Sequence, residues 1–305
     1  MYQTHFNLKL KPFRLIPEAD FIYISDKHRS AFATLEYGIF ESDGITLLTG
    51  DVGTGKTTLL RHLLTFLNDE DLEIGLISNT HSSFGSLLPW IVNSFQIKIN
   101  DKSSLLNEFE SFLIDRYSEG KKTVLIIDEA QNLNSQDMEA LRLLTNINSD
   151  DCLLFQLVLI GQPELLEIFT NPNMSQLAQR VSSEYHLSPF DLNETKKYIH
   201  SRLLKSGGIT SLFDEIAIKA IFYYSGGVPR IVNTLCDAAL VHTYGNDKNI
   251  VTLQSVIDVV TSKQIGGILR QGLLTDVNRL TTCKDVLNLT GIDLSNFTII
   301  ARNIE

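Results

Sequence analysis

The sequence predicts an α/β protein in which a parallel sheet flanked by helices is followed by a small α-helical domain. Strand-like apolar runs alternate with amphipathic helical patterns up to about residue 188, an order typical of a parallel sheet with helices on both faces. From about residue 189 only helical patterns continue, which indicates a separate helical domain. A glycine-rich loop joins the first strand-like run to the helical pattern after it, as expected of a strand–loop–helix unit.

The individual elements follow in order along the chain. Aromatic residues and prolines near the start predict an extended arm packed on the main domain, and Ser25 is suited to cap a helix that ends at about Phe40. Strands are expected at 44–49, 73–78, 123–128, 153–160 and 184–187. Helices are expected between them at 57–67, 84–95, 104–118 and 135–147. The helical domain is expected from helices at 193–205, 214–224, 228–244 and 253–263.

Composition limits the classes of function. The 305 residues are sufficient for one large or two moderate domains. The net charge of −10 disfavours a broad nucleic-acid-binding surface, which normally requires an excess of Lys and Arg. We also expect no membrane span, since no apolar run approaches the required length, and no signal peptide at the start of the chain. The expected location is therefore the cytoplasm, with contact to the inner membrane only through partners.

The glycine-rich loop has the residues and the setting of a phosphate-binding loop. Its three glycines allow the backbone to approach a phosphate group closely, and the helix that follows directs its N-terminus at the anion. Lys56 is suited to the β- and γ-phosphates and Thr57 to Mg²⁺. The alternative is that the glycine-rich run is only a flexible turn, since a run of this kind also occurs by chance in unrelated chains. The expected nucleotide-binding residues in this segment are Gly50, Asp51, Val52, Gly53, Thr54, Gly55, Lys56, Thr57 and Thr58.

A second apolar run, at 124–127, ends in the carboxylates Asp128 and Glu129. Acids at the carboxyl end of a buried parallel strand lie where ligands bind in open α/β sheets. We expect Asp128 to hold the Mg²⁺ shell through water and Glu129 to orient the water that attacks the γ-phosphorus. The alternative is that the two acids only begin a loop. A protein that only switches between nucleotide states needs the metal ligand Asp128 alone. The second acid, Glu129, therefore favours hydrolysis of the nucleotide.

Three further polar residues are candidates for the site. Gln162 follows the strand-like run at 155–161, and it would lie near the γ-phosphate if that strand runs between the two already described. Arg230, next to Pro229 at a helix start, is suited to sense the phosphates. Arg180 is suited to act as an arginine finger in a neighbouring subunit. The alternatives are a turn amide for Gln162 and surface or salt-bridge roles for the two arginines.

These motifs belong to a longer pattern that resembles a known family. The pattern comprises residues 6–8, 12–13, 37–38, 48–60, 127–133, 141–146, 161–165, 176–180, 185–187, 227–230 and Asn233. On these residues the chain resembles a P-loop NTPase of the AAA+ class. More narrowly, it is similar to the secretion ATPases typified by ExeA (GspA), which have relatives in pilus and exopolysaccharide systems. The resemblance covers roughly residues 1–262.

The resemblance implies the AAA+ strand order, an α-helical lid and assembly as a ring, filament or dimer with ATP at subunit boundaries. It divides the chain into an arm and linker helix (1–43), an AAA+ nucleotide-binding domain (44–188), a lid (189–263) and an extension of unknown role (264–305). Relatives in type II secretion carry a membrane span and a peptidoglycan-binding module after the ATPase part. The present sequence shows neither, so a direct role in remodelling the cell wall is not expected.

The sequence therefore predicts an Mg²⁺-dependent ATP hydrolase that assembles or remodels a secretion or envelope machine through a protein partner. An alternative is an ATP-dependent DNA-binding regulator, such as a transposition target selector of the TniB or TnsC kind, although the acidic charge does not favour DNA. A third hypothesis is a switch that binds nucleotide without hydrolysing it, and Glu129 argues against this.

Overall fold

A computed structural model describes residues 1–14, 21–42, 44–67, 71–78, 86–99, 104–149, 152–262 and 277–297. These residues belong to two units. The sheet-containing unit comprises Asp26–Val52 and Lys56–Ser188, and the helical unit comprises Met1–Ser25, Gly53–Gly55 and the chain from Pro189 onward. The division into four domains that the sequence indicates stays a prediction.

The sheet of the first unit consists of five parallel strands in the order β2-β3-β6-β1-β7. Their bounds are β1 Ile45–Thr49, β2 Leu72–Ile77, β3 Lys122–Ile127, β6 Phe155–Gly161 and β7 Val181–His186. Two-residue strands, β4 Asn148–Ser149 and β5 Cys152–Leu153, form a separate antiparallel pair. All residues of β1 and β6 are buried, as expected for central strands covered on both faces.

Helices cover both faces of this sheet, and alternate residues of each strand face opposite cores. One core contains Leu125 and Leu157 together with residues of the helices that follow β2, β3 and β6. The other contains Ile126 and Val158 together with Leu35 and Leu63 from the two helices that flank β1. The helices of this unit are α2 Asp26–Phe40, α3 Lys56–Phe66, α4 Leu87–Ser94, α5 Leu105–Ser118, α6 Ser135–Leu144, α7 Glu164–Thr170 and α8 Ser175–Ala178.

The helical unit is built around one apolar core that includes Ile221, Leu235 and Val256. Its helix α9 begins with a capping box in which Asp191 and Glu194 exchange hydrogen bonds, so the first backbone N–H groups are satisfied. The helices of this unit are α1 Tyr2–His5, α9 Leu192–Lys205, α10 Glu215–Ser225, α11 Pro229–Gly245, α12 Leu253–Ser262 and α13 Val277–Thr290.

The N-terminal arm packs within the helical unit. Phe6 and Phe13 are buried in its core, and the Tyr2 hydroxyl donates a hydrogen bond of 2.5 Å to Asp237 Oδ1 on α11. The buried Arg202 donates to the carbonyls of Arg14 and Phe21, at 3.0 and 3.2 Å. The expectation of an extended arm packed on the main domain is therefore wrong for these residues. Aromatic content predicts burial, and it does not identify the partner surface.

The last described segment also belongs to the helical core. Val286 on α13 and the following Leu294 are fully buried in it, and the Tyr224 hydroxyl donates to the Leu294 carbonyl at 2.9 Å. Arg279 is 1% exposed, and its Nε donates to the Tyr223 carbonyl at 2.7 Å. The rest of the segment 264–305, namely 264–276 and 298–305, lies outside the described residues. Within the described part of the chain, no helix is long and apolar enough to cross a membrane.

Candidate nucleotide-binding site

The glycine-rich loop lies between the end of β1 at Thr49 and the start of α3 at Lys56. Gly53 and Gly55 have φ values of 87° and 108°, a region that residues with a Cβ rarely adopt. The loop is thus the strand–loop–helix unit that its sequence predicts. The remaining predicted loop positions differ in exposure: Thr54 is buried, Val52 is 41% exposed, and Thr58 lies partly buried in the first turn of α3.

Lys56 directs its ammonium group back at the loop. The side chain is 6% exposed, and Nζ donates hydrogen bonds to the carbonyls of Gly50 at 2.6 Å and Asp51 at 3.1 Å. Burial lowers the pKa of Lys56, and the nearby carboxylates of Glu129 and Asp128 oppose this shift. A buried cation held by weak carbonyl acceptors is well suited to a stronger anionic acceptor such as a phosphate oxygen.

Thr57 and Asp128 bring two oxygen atoms together. Thr57 Oγ1 donates to Asp128 Oδ2 at 3.1 Å, and Asp128 is 3% exposed. Burial raises the pKa of Asp128, while hydrogen bonds from the Glu129 backbone and the Thr57 hydroxyl oppose the increase. A hydroxyl and a carboxylate are the kind of ligands that Mg²⁺ takes from proteins. The two residues therefore fit the predicted metal position.

Glu129 follows in a left-handed conformation, with φ 55° and ψ 37°, and precedes the 3₁₀ helix Ala130–Asn132. Non-glycine residues with this conformation are uncommon and often lie at functional sites. The Glu129 carboxylate oxygen Oε2 accepts hydrogen bonds from Gln131 Nε2 at 2.7 Å and from Gln162 Nε2 at 3.4 Å.

The sheet order explains why Gln162 lies beside Glu129. Strand β6 runs between β3 and β1, which is the condition under which the sequence places Gln162 near the site. Gln131 also contacts Glu129, and the sequence did not identify it as a site residue, although it lies within the family pattern. Its position two residues after Glu129 in a short turn is the signal that could have identified it.

Arg230 lies at the start of α11 in the helical unit, to which Gly53 also belongs. The Arg230 backbone N–H donates to the Gly53 carbonyl at 3.3 Å. A Cβ on Gly53 would lie 2.8 Å from the Arg230 Cβ, so a side chain at Gly53 is excluded by space as well as by φ. The chain enters α11 through a turn in which Gly227 has a φ of 73°, and Arg230 is the second residue of that helix. The Arg230 side chain is exposed.

Arg180 is engaged within its own chain. It follows α8, and its guanidinium donates to the Thr145 carbonyl and to Asn146 Oδ1. Its carbonyl accepts from the Ile45 N–H at 2.8 Å, at the entrance to β1. The role of Arg180 in a neighbouring subunit stays a prediction.

Comparison with known proteins adds a family to this geometry. The model of a family described as an AAA domain matches residues 40–169, which contain the glycine-rich loop and both acids after β3. General secretion pathway protein A of Aeromonas hydrophila is 36% identical over 275 residues, which make up 89% of this chain and 50% of that protein. The chain thus spans about half the length of this curated relative.

Solved structures show the same fold at low sequence identity. Cdc6p from Pyrobaculum aerophilum has a TM-score of 0.59 at 14% identity, covering 92% of this chain and 88% of that one. The Aeropyrum pernix ORC1 protein, in complex with DNA, has a TM-score of 0.56 at 16% identity, covering 94% and 85%. The Thermotoga maritima RuvB Holliday junction branch migration motor has a TM-score of 0.51 at 16% identity, covering 90% and 84%.

The chain is a P-loop protein of the AAA+ class. Three findings together define this class: the strand order, the glycine-rich loop followed later in the chain by two acids after β3, and the match to the AAA domain. Within that class the chain belongs to the GspA-like AAA+ ATPases, because 89% of this chain aligns with general secretion pathway protein A at 36% identity.

Proposed function

We propose that the chain binds Mg²⁺-ATP and hydrolyses it, with the nucleotide at boundaries between subunits of a homo-oligomer. The observation that supports hydrolysis best is the meeting of three features at the carboxyl ends of β1, β3 and β6. These features are the buried ammonium of Lys56, the Thr57–Asp128 oxygen pair and the Glu129 carboxylate beside Gln162. Ligands of open α/β sheets bind at this edge.

The loop supplies the grip on the triphosphate. Backbone N–H groups of the glycine-rich loop and of the α3 N-terminus bind the phosphate oxygens. The Lys56 ammonium exchanges its carbonyl acceptors for the β- and γ-phosphates, where a charge-assisted hydrogen bond is stronger. Because Lys56 is buried and already directed at the loop, little side-chain entropy is lost when the phosphate arrives.

In this proposal Thr57 and Asp128 would hold Mg²⁺, and the ion would supply positive charge to neutralise the negative charge that develops on the phosphates during transfer. The raised pKa of Asp128 reflects a carboxylate removed from water, and such a group gains more from a neighbouring cation than an exposed one does.

Glu129 orients the attacking water and accepts its proton, and Gln162 reports the state of the γ-phosphate. Both roles require side chains near one another at the sheet edge, and the contact of 3.4 Å between Gln162 Nε2 and Glu129 Oε2 supports this. Arg230 adds a positive charge from the start of α11 and couples the position of the lid to the nucleotide. Arg180 completes the site of a neighbouring subunit as an arginine finger.

ATP turnover by the purified chain tests the hydrolytic function. We expect phosphate release that depends on Mg²⁺, that EDTA abolishes, and that rises with protein concentration as subunits assemble. Nucleotide binding without turnover at any protein concentration would contradict the hydrolytic function and favour a switch that binds nucleotide without hydrolysing it. Turnover that persists in EDTA would contradict the assignment of Thr57 and Asp128.

The pathway proposal rests on the relationship to general secretion pathway protein A. We propose that nucleotide binding builds an assembly with a protein partner of a secretion or envelope system, and that hydrolysis releases it. A pull-down with Glu129→Gln in ATP is the sharpest test, because slow hydrolysis traps the assembled state. Recovery of envelope-system proteins in ATP and not in ADP is the expected result.

The DNA-binding regulator is the second candidate, and the DNA complex of the ORC1 neighbour is a reason to test it. At 16% identity this likeness concerns the fold alone, and the net charge of −10 argues against a broad contact with phosphates. Binding of duplex DNA should be measured with and without ATP over a salt series. A steep fall in affinity with salt would favour DNA, and no binding at low salt would remove this candidate.

A further inference from the structure

The side-chain amide of Gln131 joins the ends of two neighbouring strands. Its Nε2 donates a hydrogen bond of 2.7 Å to Glu129 Oε2, just after β3. Its Oε1 accepts a hydrogen bond of 3.0 Å from the backbone N–H of Gln162, just after β6. A single planar group therefore connects the carboxylate of one candidate residue to the backbone of another.

Gly161 provides the space for this bridge. A Cβ at Gly161 would lie 2.9 Å from Gln131 Oε1 and 3.3 Å from the Gln131 backbone nitrogen. The first distance is shorter than real Cβ contacts, so a larger residue would displace the Gln131 amide. Gly161 is not among the residues with positive φ. Space for the bridge, and not an unusual backbone conformation, accounts for the missing side chain.

The hydrogen bond from Gln131 is the stronger of the two amide contacts to Glu129. At 2.7 Å it lies at the short end of the normal range for N–H···O bonds, whereas the contact from Gln162 Nε2, at 3.4 Å, lies beyond it. The left-handed backbone of Glu129 and the 3₁₀ turn after it bring Gln131 back toward the carboxylate. Of these two amides, Gln131 therefore has the larger influence on the direction of Oε2.

We propose that Gln131 is the positioning residue of the hydrolytic site. It fixes the Glu129 carboxylate relative to Gln162. Glu129, which orients the water, and Gln162, which reports the γ-phosphate, are then held at a fixed distance from each other. This inference rests on the proposed ATP hydrolysis. Gln131 acts through Glu129 and Gln162 and has no contact with ATP in this role. Its loss affects the chemical step and leaves nucleotide binding unchanged, because Lys56 and the loop supply the binding contacts.

The central test uses Gln131→Met, which keeps the length of the side chain and removes both hydrogen bonds. We expect kcat to fall about 10- to 100-fold, the cost of a misplaced catalytic group, with the dissociation constant for ATP within about 2-fold of the original value. Gln136→Met is the matched control, because Gln136 is an exposed glutamine on α6, and it should keep full turnover.

Two further variants separate positioning from folding. Gly161→Ala should reproduce the kcat loss by displacing the Gln131 amide. Gln131→Glu keeps an acceptor for the Gln162 N–H but places a carboxylate against Glu129, so kcat should fall at least as far as in Gln131→Met. Adding Gln131→Met to Glu129→Gln should lower kcat by less than about 3-fold beyond the single Glu129→Gln variant, since the two residues act as a unit.

The outcomes are distinguishable. If Glu129→Gln keeps its turnover, the proposed hydrolytic site itself fails. If Glu129→Gln loses turnover while Gln131→Met keeps the original kcat, the positioning role of Gln131 fails and the site stands. A loss of ATP affinity or of thermal stability that accounts for the whole decrease in turnover would also overturn the positioning role, as would additive effects in the double variant.

Discussion

Thr57 and Asp128 lie 71 positions apart in the chain, and a hydrogen bond of 3.1 Å joins Thr57 Oγ1 to Asp128 Oδ2. The contact ties the first turn of α3 to the end of β3, so the two halves of the phosphate site meet through side chains. Asp128 is nevertheless a carboxyl group in a buried position. A site arranged for a cation is expected to reduce the stability of the folded protein.

Asp128→Asn should therefore stabilise the protein while removing Mg²⁺-dependent turnover. Burial raises the pKa of Asp128 above that of an ordinary carboxyl, so the folded chain binds this proton more tightly than the unfolded chain does. This free-energy cost of the ionised carboxyl is present above the raised pKa and disappears as the pH falls through it. Thermal melts should give the variant the higher midpoint at pH 7, with a difference that narrows on acidification. A lower midpoint at pH 7 would contradict this account.

Lys56→Ala should abolish ATP binding and lower turnover by at least about 100-fold, because it removes the cation directed at the phosphates. Titration with a fluorescent ATP analogue and a phosphate-release assay would measure the two effects. Lys98→Ala is the control, since Lys98 is an exposed lysine beyond α4, and it should behave like the unmodified chain. Turnover at the original rate in Lys56→Ala would rule out the loop as the site.

Glu129→Gln should bind ATP normally and lose at least about 100-fold in rate, the scale of a missing catalytic base. The amide keeps the size of the carboxylate and cannot take the proton from water. Equilibrium binding and single-turnover hydrolysis should be measured side by side, with the exposed Glu110→Gln as the control. Equal losses of affinity and rate would indicate a binding role for Glu129.

Arg180→Ala should bind ATP and hydrolyse it about 10³-fold more slowly, as expected for the loss of an arginine finger. Mixing it with Lys56→Ala protein should restore part of the activity, because the Lys56→Ala subunit still offers Arg180 to its neighbour. Arg61→Ala, at an exposed position of α3, controls for the loss of charge. Failure to restore activity at high protein concentration would favour a structural role through Thr145 and Asn146.

Gly227→Ala should destabilise the helical unit by more than about 2 kcal/mol. Its φ is 73°, and a Cβ there would lie 1.9 Å from the Phe190 carbonyl oxygen. Gly245→Ala is the matched control, because a Cβ at this last residue of α11 would meet nothing within 4 Å. It should be neutral or stabilise by up to about 1 kcal/mol. Urea unfolding followed by circular dichroism would compare the two variants.

The sequence predicts the sheet and the main chemistry well, because both depend on local signals. The apolar runs that end at Thr49 and Asp128 identify central strands, and the glycine spacing identifies the loop between β1 and α3. The position of Gln162 required one further condition, the place of β6 in the sheet. The AAA+ resemblance and the observed strand order both meet that condition.

Long-range contacts account for what the sequence could not predict. The arm carries aromatic residues that are compatible with any apolar surface, and only the structure assigns Phe6 and Phe13 to the helical core. The short helices α7 and α8 were missed because their length gives little periodicity. The helix α13 was missed because its buried face includes Arg279 and Thr282 beside Val286, and no apolar stripe marks it.

The buried contacts of α13 have a practical consequence for protein engineering. A shortened chain that stops at Ser262, the last residue of α12, would lose Val286 and Leu294 from the helical core. It would also leave the Tyr223 carbonyl and the Tyr224 hydroxyl without the partners that now satisfy them. Such a shortened protein should aggregate or resist purification, whereas a chain that keeps α13 and Leu294 retains these contacts.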